Sequence, residues 1–464
     1  MSGPVSYLSA LAEHYGSMGF PPYEWTVNEH APLTRLEKSL AKWRVALLMS
    51  DDISSRCDLP WDPLAALPRS GPHHCDGHLT RLIESCLLRL SGQHGVLCTK
   101  NEEHTVMDTY TSYDLVEFGK PLEARERPMP VPRGTEVLVR VRRSGVCHSD
   151  LHIQEGFFDL GEEGKLDMGE RGMKLPQALG HEILGEVIAA GPEAPDAPIG
   201  QTMLVHPWIG CMQDDCLVCM SGRENDCTRM RAIGVVRDGG YGEYVIVDHP
   251  KFLVDIEGLD LDTVTPYACS GVTVYCALKK VGVEDMNPGE WIAVMGAGGL
   301  GLNAIAIAKA MGFEKVVSCD VDPNKMQTAI SMGADAILDT SREDALDELR
   351  KITGNQLLGV VDTVGIPVTS RLSVHGLIKM GRYVVVGLHG GDFKMPLPWL
   401  PQKSLTVRGS YVGSCNDLRE LIALVRTGKV KEIPVGSRPL SAASDTLDDL
   451  KAGKINGRVV LTTD

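Results

Sequence analysis

The rhythm of apolar and polar positions changes twice along the chain. From Leu36 to Leu47 and from Leu79 to Leu90, apolar residues recur at helical spacing, which predicts two amphipathic helices separated by proline-rich turns. From Met107 the period shortens. Leu115 to Glu117 and Glu136 to Arg142 (EVLVRVR) alternate apolar and polar residues as half-buried antiparallel strands do. After about residue 270, strand-like and helix-like runs take turns: IAVMG, GLNAIAIAKAMG, KVVSCDVD, GVVDTVG and YVVVGL. That alternation predicts an α/β fold with a doubly wound parallel sheet, because parallel neighbours need a crossover helix. A helix from Asp417 to Arg426 and a strand from Arg458 to Leu461 predict a return to the earlier, mainly β region.

Composition narrows the partners. The chain has 464 residues and is 43% hydrophobic, enough for two or three domains with separate cores. A net charge of -15 with no long Lys/Arg cluster argues against nucleic acid and leaves small molecules as the expected ligands. The longest apolar run, Trp291 to Ala308, is interrupted by glycines and Asn303, so no membrane span is expected. The N-terminus lacks a basic segment followed by an apolar stretch, and a cytoplasmic location follows as the expectation. Several of the thirteen cysteines fall at metal-ligand spacings, which reads as thiolates and not bridges.

Residues 1–106 carry seven of the fourteen histidines and no motif. His73, His74, Cys75 and His78 lie close together but lack a second ligand pair at a suitable spacing. The expectation is a poorly ordered extension.

Two motifs stand on their own spacing. Gly296-Ala297-Gly298-Gly299-Leu300-Gly301 follows the apolar run Trp291 to Met295 and opens a helical stretch, the context a dinucleotide-binding turn requires. Glycines permit the tight turn and the close approach of a pyrophosphate to the helix N-terminus. Asp320, at the end of the second strand, is placed to accept hydrogen bonds from a ribose and would repel a 2′-phosphate, which favours NAD over NADP. Asp322 reads as a turn residue before Pro323. The second motif is Cys216-x2-Cys219-x7-Cys227 with Cys211 before it: four thiolates within seventeen residues, the donor set of a closed structural zinc. The gap from Cys211 to Cys216 must bulge through Met212 and its neighbours.

A further set is dispersed: Cys147 in GVCHSDLH, His181-Glu182 in GHE, and Cys269 in ACSGVTVY. A Cys/His/Cys trio leaves a fourth coordination position free for chemistry. Spacing alone does not single out this trio. Taken with GAGGLG, GVTVY, the cysteine lobe and the terminal GRVVL, however, the motifs resemble those of the zinc-dependent alcohol dehydrogenases of the medium-chain dehydrogenase/reductase superfamily, from about residue 107 to 464.

The resemblance implies a mainly β, GroES-like catalytic domain (107–270, with a structural-zinc lobe at about 206–230), a Rossmann-type NAD-binding domain (271–407) and a return to the first domain (408–464). It implies two zinc ions per chain, the catalytic one on Cys147, His181 and Cys269, with Glu182 beside it and Asp150 orienting the histidine. It assigns Ser149 and His152 to a proton relay running through the nicotinamide ribose hydroxyl. His148 and Arg458 fall beside the pyrophosphate, and Phe158 and Trp208 in the substrate pocket. Two large rings imply a narrow pocket suited to small primary alcohols, while aromatic alcohols could stack there. The implied reaction is reversible hydride transfer between an alcohol and NAD, in a homodimer or homotetramer. Polyol dehydrogenases of the superfamily commonly carry a carboxylate as the third ligand, and Cys269 with the Ser149/His152 pair argues against that reading. Two stretches exceed the family pattern: a Gly- and charge-rich one, roughly 159–173, expected to reshape the pocket mouth or a subunit contact, and residues 1–106, with Met107 where a family member would begin, expected to result from an upstream start assignment.

Overall fold

The computed structural model describes residues 109–463. The helices expected at Leu36 to Leu47 and Leu79 to Leu90, the histidines at 73, 74 and 78, and Met107 lie outside the described residues.

The parallel sheet has six strands: Trp291–Met295, Lys315–Asp320, Ala336–Asp339, Leu357–Asp362, Arg382–Val385 and Thr406–Gly409. Counted in chain order within the sheet, they lie 3-2-1-4-5-6, and every neighbouring pair is parallel. The order reverses between the first and fourth strands, and the crevice at such a switch point is where this topology binds nucleotides. The helix Gly299–Met311 follows the first strand, with Leu302, Ala304, Ile305, Ala306, Ile307 and Ala308 all buried. It is apolar nearly all round because sheet and neighbouring helix enclose it.

The second sheet is mainly antiparallel. Its strands run Leu253–Asp255, Thr202–Val205, Glu182–Ala190, Val137–Gly145, Arg458–Thr462 and Val435–Pro439, with Tyr244–Val247 also paired to Val137–Gly145. Val460 faces Gly145 in register, so the last strand inserts beside a strand more than three hundred residues earlier. The expected boundary at 407/408 is corrected by these strands. It cuts through Thr406–Gly409, which completes the parallel sheet, and the return comes later, with Val435–Pro439.

The strand expected at Leu115 to Glu117 lies upstream, at Thr109–Leu115. Its inward residues include Ser112 and Asp114, so apolar periodicity hides it; Asp114 is reconciled with burial by Arg127, whose guanidinium lies 2.6 Å away. The stretch 159–173 forms a small hairpin with its neighbours, Phe157–Asp159 pairing with Lys165–Asp167. Met168 and Met173 anchor it, fully or almost fully buried in the core of the β domain. Among the described residues no helix is long and apolar enough to cross a membrane.

Candidate functional site

The helix His148–Glu155 begins at Cys147, and that start positions the first cluster. Cys147 has extended backbone, and its amide donates to Asp150 Oδ2 at 2.9 Å. A short-chain acid three residues into the helix thus satisfies an amide that the helix leaves unpaired. The same Asp150 oxygen accepts from Tyr241 Oη at 3.1 Å, and Oδ1 lies 3.2 Å from His181 Nδ1. His181 precedes the strand Glu182–Ala190, and Cys269 caps the helix Ser270–Val281. Three unconnected elements therefore deliver Cys147, His181 and Cys269 to one buried point, with ligand atoms all within 4.8 Å of one another.

The donor chemistry fits zinc. Two thiols and an imidazole are its preferred soft and borderline ligands. His181 Nε2 is buried without a hydrogen-bond partner among protein atoms, while Nδ1 faces a carboxylate, the pairing that orients a metal-binding imidazole. Hydrogen bonding to Cys269 holds the Cys147 thiol well below its ordinary value against the opposing effect of burial, with Arg458 and His181 adding to it. Behind the trio lies a buried ion pair between Glu182 and Arg458, whose guanidinium also donates to the Val146 carbonyl at 3.0 Å. Burial pushes the Glu182 carboxyl up and Arg458 opposes the shift.

Cys211, Cys216, Cys219 and Cys227 form the second cluster, again within 4.8 Å. Sγ of Cys211 lies 3.8 Å from that of Cys219, and Sγ of Cys216 lies 4.0 Å from that of Cys227, too far for bridges. The bulge required after Cys211 is made by Met212, whose φ of 54° is left-handed. A Cβ on Gly210 would meet Cys219 Sγ at 2.5 Å, so the backbone there must approach the thiols closely. The Cys219 backbone amide holds the Cys216 thiol down to about 6. Four thiolates gathered at one point suit a structural zinc, whose four positions they would fill.

Two cavities meet at Cys147. One, of about 710 Å³, runs past His148, Ser149, His152, Gly296, Gly298, Gly299, Leu300, Asp320 and Arg458. Gly296 adopts φ of +91°, and a Cβ at Gly301 would strike the Gly296 carbonyl oxygen. Gly301 therefore does not line the cavity but lets the helix close against the turn. Asp320 accepts from the amides of Ala297 (2.6 Å), Val321 (2.8 Å) and Asp322 (2.9 Å), which ties its carboxylate to the glycine turn and leaves room for further donors. Asp322 caps the helix Pro323–Met332, accepting from the Asn324 amide at 2.8 Å. Burial draws the His148 imidazole down to about 4, so it is neutral at physiological pH.

The other cavity, of about 740 Å³, opens from Cys147, Ser149 and Cys269 between Phe158 and Trp208. Trp208 is nearly fully buried, donates to the Ala268 carbonyl at 3.2 Å and packs its ring 5.3 Å from His181. Phe158 lies 5.2 Å from the His152 ring. Ser149 Oγ is 3.8 Å from Cys147 Sγ.

Sequence reading missed Tyr241, which supports Asp150, and Tyr411, which stacks edge-on to Trp208 at 6.0 Å. It also missed Lys325 in the nucleotide cavity, while the stretch 159–173, expected at the pocket mouth or a subunit contact, contributes Leu160, Leu166 and Arg171 to the other cavity. No local spacing signals the two tyrosines. Lys325 had one signal, its place five residues after Asp320 in the first turn of the next helix.

Residues 133–258 match the alcohol dehydrogenase GroES-like domain and residues 299–427 the zinc-binding dehydrogenase domain. NAD-dependent alcohol dehydrogenases of Sulfurisphaera tokodaii and Saccharolobus solfataricus are each 37% identical over 350 residues, 75% of this chain and 98% of theirs. Among solved structures, the alcohol dehydrogenase of Aeropyrum pernix superposes with a TM-score of 0.69 at 29% identity, covering 76% of this chain and 99% of that one. Acetophenone reductase of Geotrichum candidum, solved with NAD, gives 0.66 at 29% identity, covering 77% and 98%.

Proposed function

The chain belongs to the zinc-type, NAD-linked alcohol dehydrogenases of the medium-chain superfamily, and we propose that Cys147, His181 and Cys269 hold its catalytic zinc and the four-cysteine lobe a second, structural one. It is an oxidoreductase that uses zinc and NAD to interconvert alcohols with aldehydes or ketones. When bound, zinc acidifies a hydroxyl by an amount comparable to water's fall from 15.7 to about 7, roughly 12 kcal/mol, and NAD takes up the hydride.

The observation that carries the assignment is the convergence of two thiols and an unpartnered imidazole nitrogen at the junction of two cavities. The residues that would hold NAD in the nucleotide cavity are the glycine turn and Arg458, toward its pyrophosphate, and Asp320, toward its adenosine ribose. Asp150 orients His181, and Glu182 with Arg458 balances charge behind the ligands. Ser149 takes the alcohol proton at Oγ and His152 holds it near solvent. Phe158 and Trp208 flank the alcohol, and two large rings lining the cavity beside Cys147 and Cys269 support a preference for small primary alcohols. Replacing Cys147 by Ser is expected to abolish alcohol-dependent NADH formation and remove one of two zinc ions per chain, while NADH still binds. Parental turnover or zinc content in that variant would sink the assignment.

The chain is read further as a homodimer or homotetramer. Thr406–Gly409 is the sheet's edge strand, exposed along its whole length, with Val407 and nearby Leu397 also exposed. A reducing, cytoplasmic setting agrees with nine free cysteines among the described residues, four of them gathered at one point.

A further inference from the structure

We propose that His389, on the loop after strand Arg382–Val385, receives the proton that His152 releases and passes it to solvent. The proposal rests on the assignment of Ser149 and His152 to the relay. His389 is far along the chain from His152, yet the two ring centroids lie 6.0 Å apart with planes at 88°, a separation that one bridging water spans. The His148 ring is 5.6 Å from His389 on the same side. All three line the nucleotide cavity.

The chemistry at His389 has a direction. Its Nδ1 lies 3.0 Å from the Val364 carbonyl oxygen, which can only accept, so Nδ1 carries the hydrogen and Nε2 the lone pair. The side chain is exposed while His152 is half-buried, so the pair leads from the cleft to bulk water. Burial, reinforced by His389, lowers the His152 imidazole, favouring release. The titratable groups facing the pair are Glu155, Cys147 and the neutral His148, on or at the start of the His152 helix. Lys451 holds Glu155 at 2.8 Å. Across the loop, Asp159 packs at Gly390, and Asp392 accepts from the Glu162 amide.

Each alcohol oxidised by NAD releases one proton beside the transferred hydride. In the proposed step, an N–H bond of the His152 imidazolium breaks and its electron pair stays on His152. A bridging water takes up that proton and gives one of its own to Nε2 of His389, where a new N–H bond forms. The His389 imidazolium then gives the Nε2 proton to water. No electrons leave the pair.

The test is stopped-flow measurement of the NADH burst with ethanol and with benzyl alcohol across pH, using the holoenzyme. For His389→Gln, which can still donate to the Val364 carbonyl but has no basic nitrogen to take up a proton, the burst is expected to slow about 10-fold below neutrality, less than a full general base contributes because water partly substitutes. Added imidazole should restore it, and NADH affinity by fluorescence should stay within about 2-fold. His389→Asn provides a second variant if the first folds poorly. A parental burst rate and pH profile would overturn the proposal, as would weakened NADH binding with an unchanged burst, which would make His389 a coenzyme contact. His152→Gln, run alongside, separates the two levels. If it alone slows the burst, His389 has no part in the relay; if neither variant does, the relay assignment itself fails.

Discussion

Asp150 serves three partners from full burial: the Cys147 amide, the Tyr241 hydroxyl and His181 Nδ1. One carboxylate thereby fixes the backbone of one proposed zinc ligand and the ring orientation of another. For Asp150→Asn, zinc affinity measured by chelator competition should fall by about 10- to 100-fold, the range seen when such a supporting carboxylate is lost. An unchanged affinity would reduce Asp150 to a helix cap. Its place was legible because it stands three residues after Cys147 within one motif. Tyr241 was not, since a contact between residues 91 apart leaves no mark on either local sequence. The same holds for the trio itself. Cys147, His181 and Cys269 come from a helix start, a strand start and a second helix start, and only the family motifs joined them in the sequence.

Among the elements, the glycine turn was readable because its demands are local: a positive φ at Gly296 and no Cβ at Gly301 are properties of single positions. The hairpin Phe157–Asp159 and Lys165–Asp167 was visible only as surplus chain, because strand pairing this short has little periodicity to display. Two interactions compete to explain what holds it. Glu162 and Lys394 pair at 2.6 Å across to the loop of the parallel-sheet domain, but both are about three-quarters exposed, and such a pair contributes about 0 to 1 kcal/mol. Met168 is fully buried, and truncating a methionine there costs about 2 to 5 kcal/mol. Burial wins. Lys394→Ala should therefore leave the thermal midpoint nearly unchanged, whereas Met168→Ala should lower it and loosen the substrate cavity, read as a raised KM for ethanol. Equal effects of the two substitutions would overturn this ranking.

Considered as a whole molecule, the parallel sheet ends on a strand with free hydrogen-bonding capacity. Thr406 and Ser410 donate inward, to the carbonyls of Gly381 and Val385, so the intervening Val407 and Gly409 direct their backbone groups outward. Two such edges can pair about a twofold axis, each strand serving as the other's neighbour. Val407→Pro removes an outward N–H without touching the inward ladder. Analytical ultracentrifugation is expected to find the parent as a dimer or tetramer and this variant shifted toward monomer. A monomeric parent would refute the oligomer reading, and a variant that assembles like the parent would move the interface elsewhere.

The insertion of Arg458–Thr462 beside Val137–Gly145 sets an order of assembly. On the ribosome, the strands of the β domain emerge first and wait, because their missing neighbour is made only after the whole parallel sheet has appeared. Arg458, the first residue of that late strand, is also the cation facing Glu182. Until it arrives, a carboxylate destined for full burial lacks this counter-charge, so one late residue completes both the catalytic centre and the nucleotide cavity.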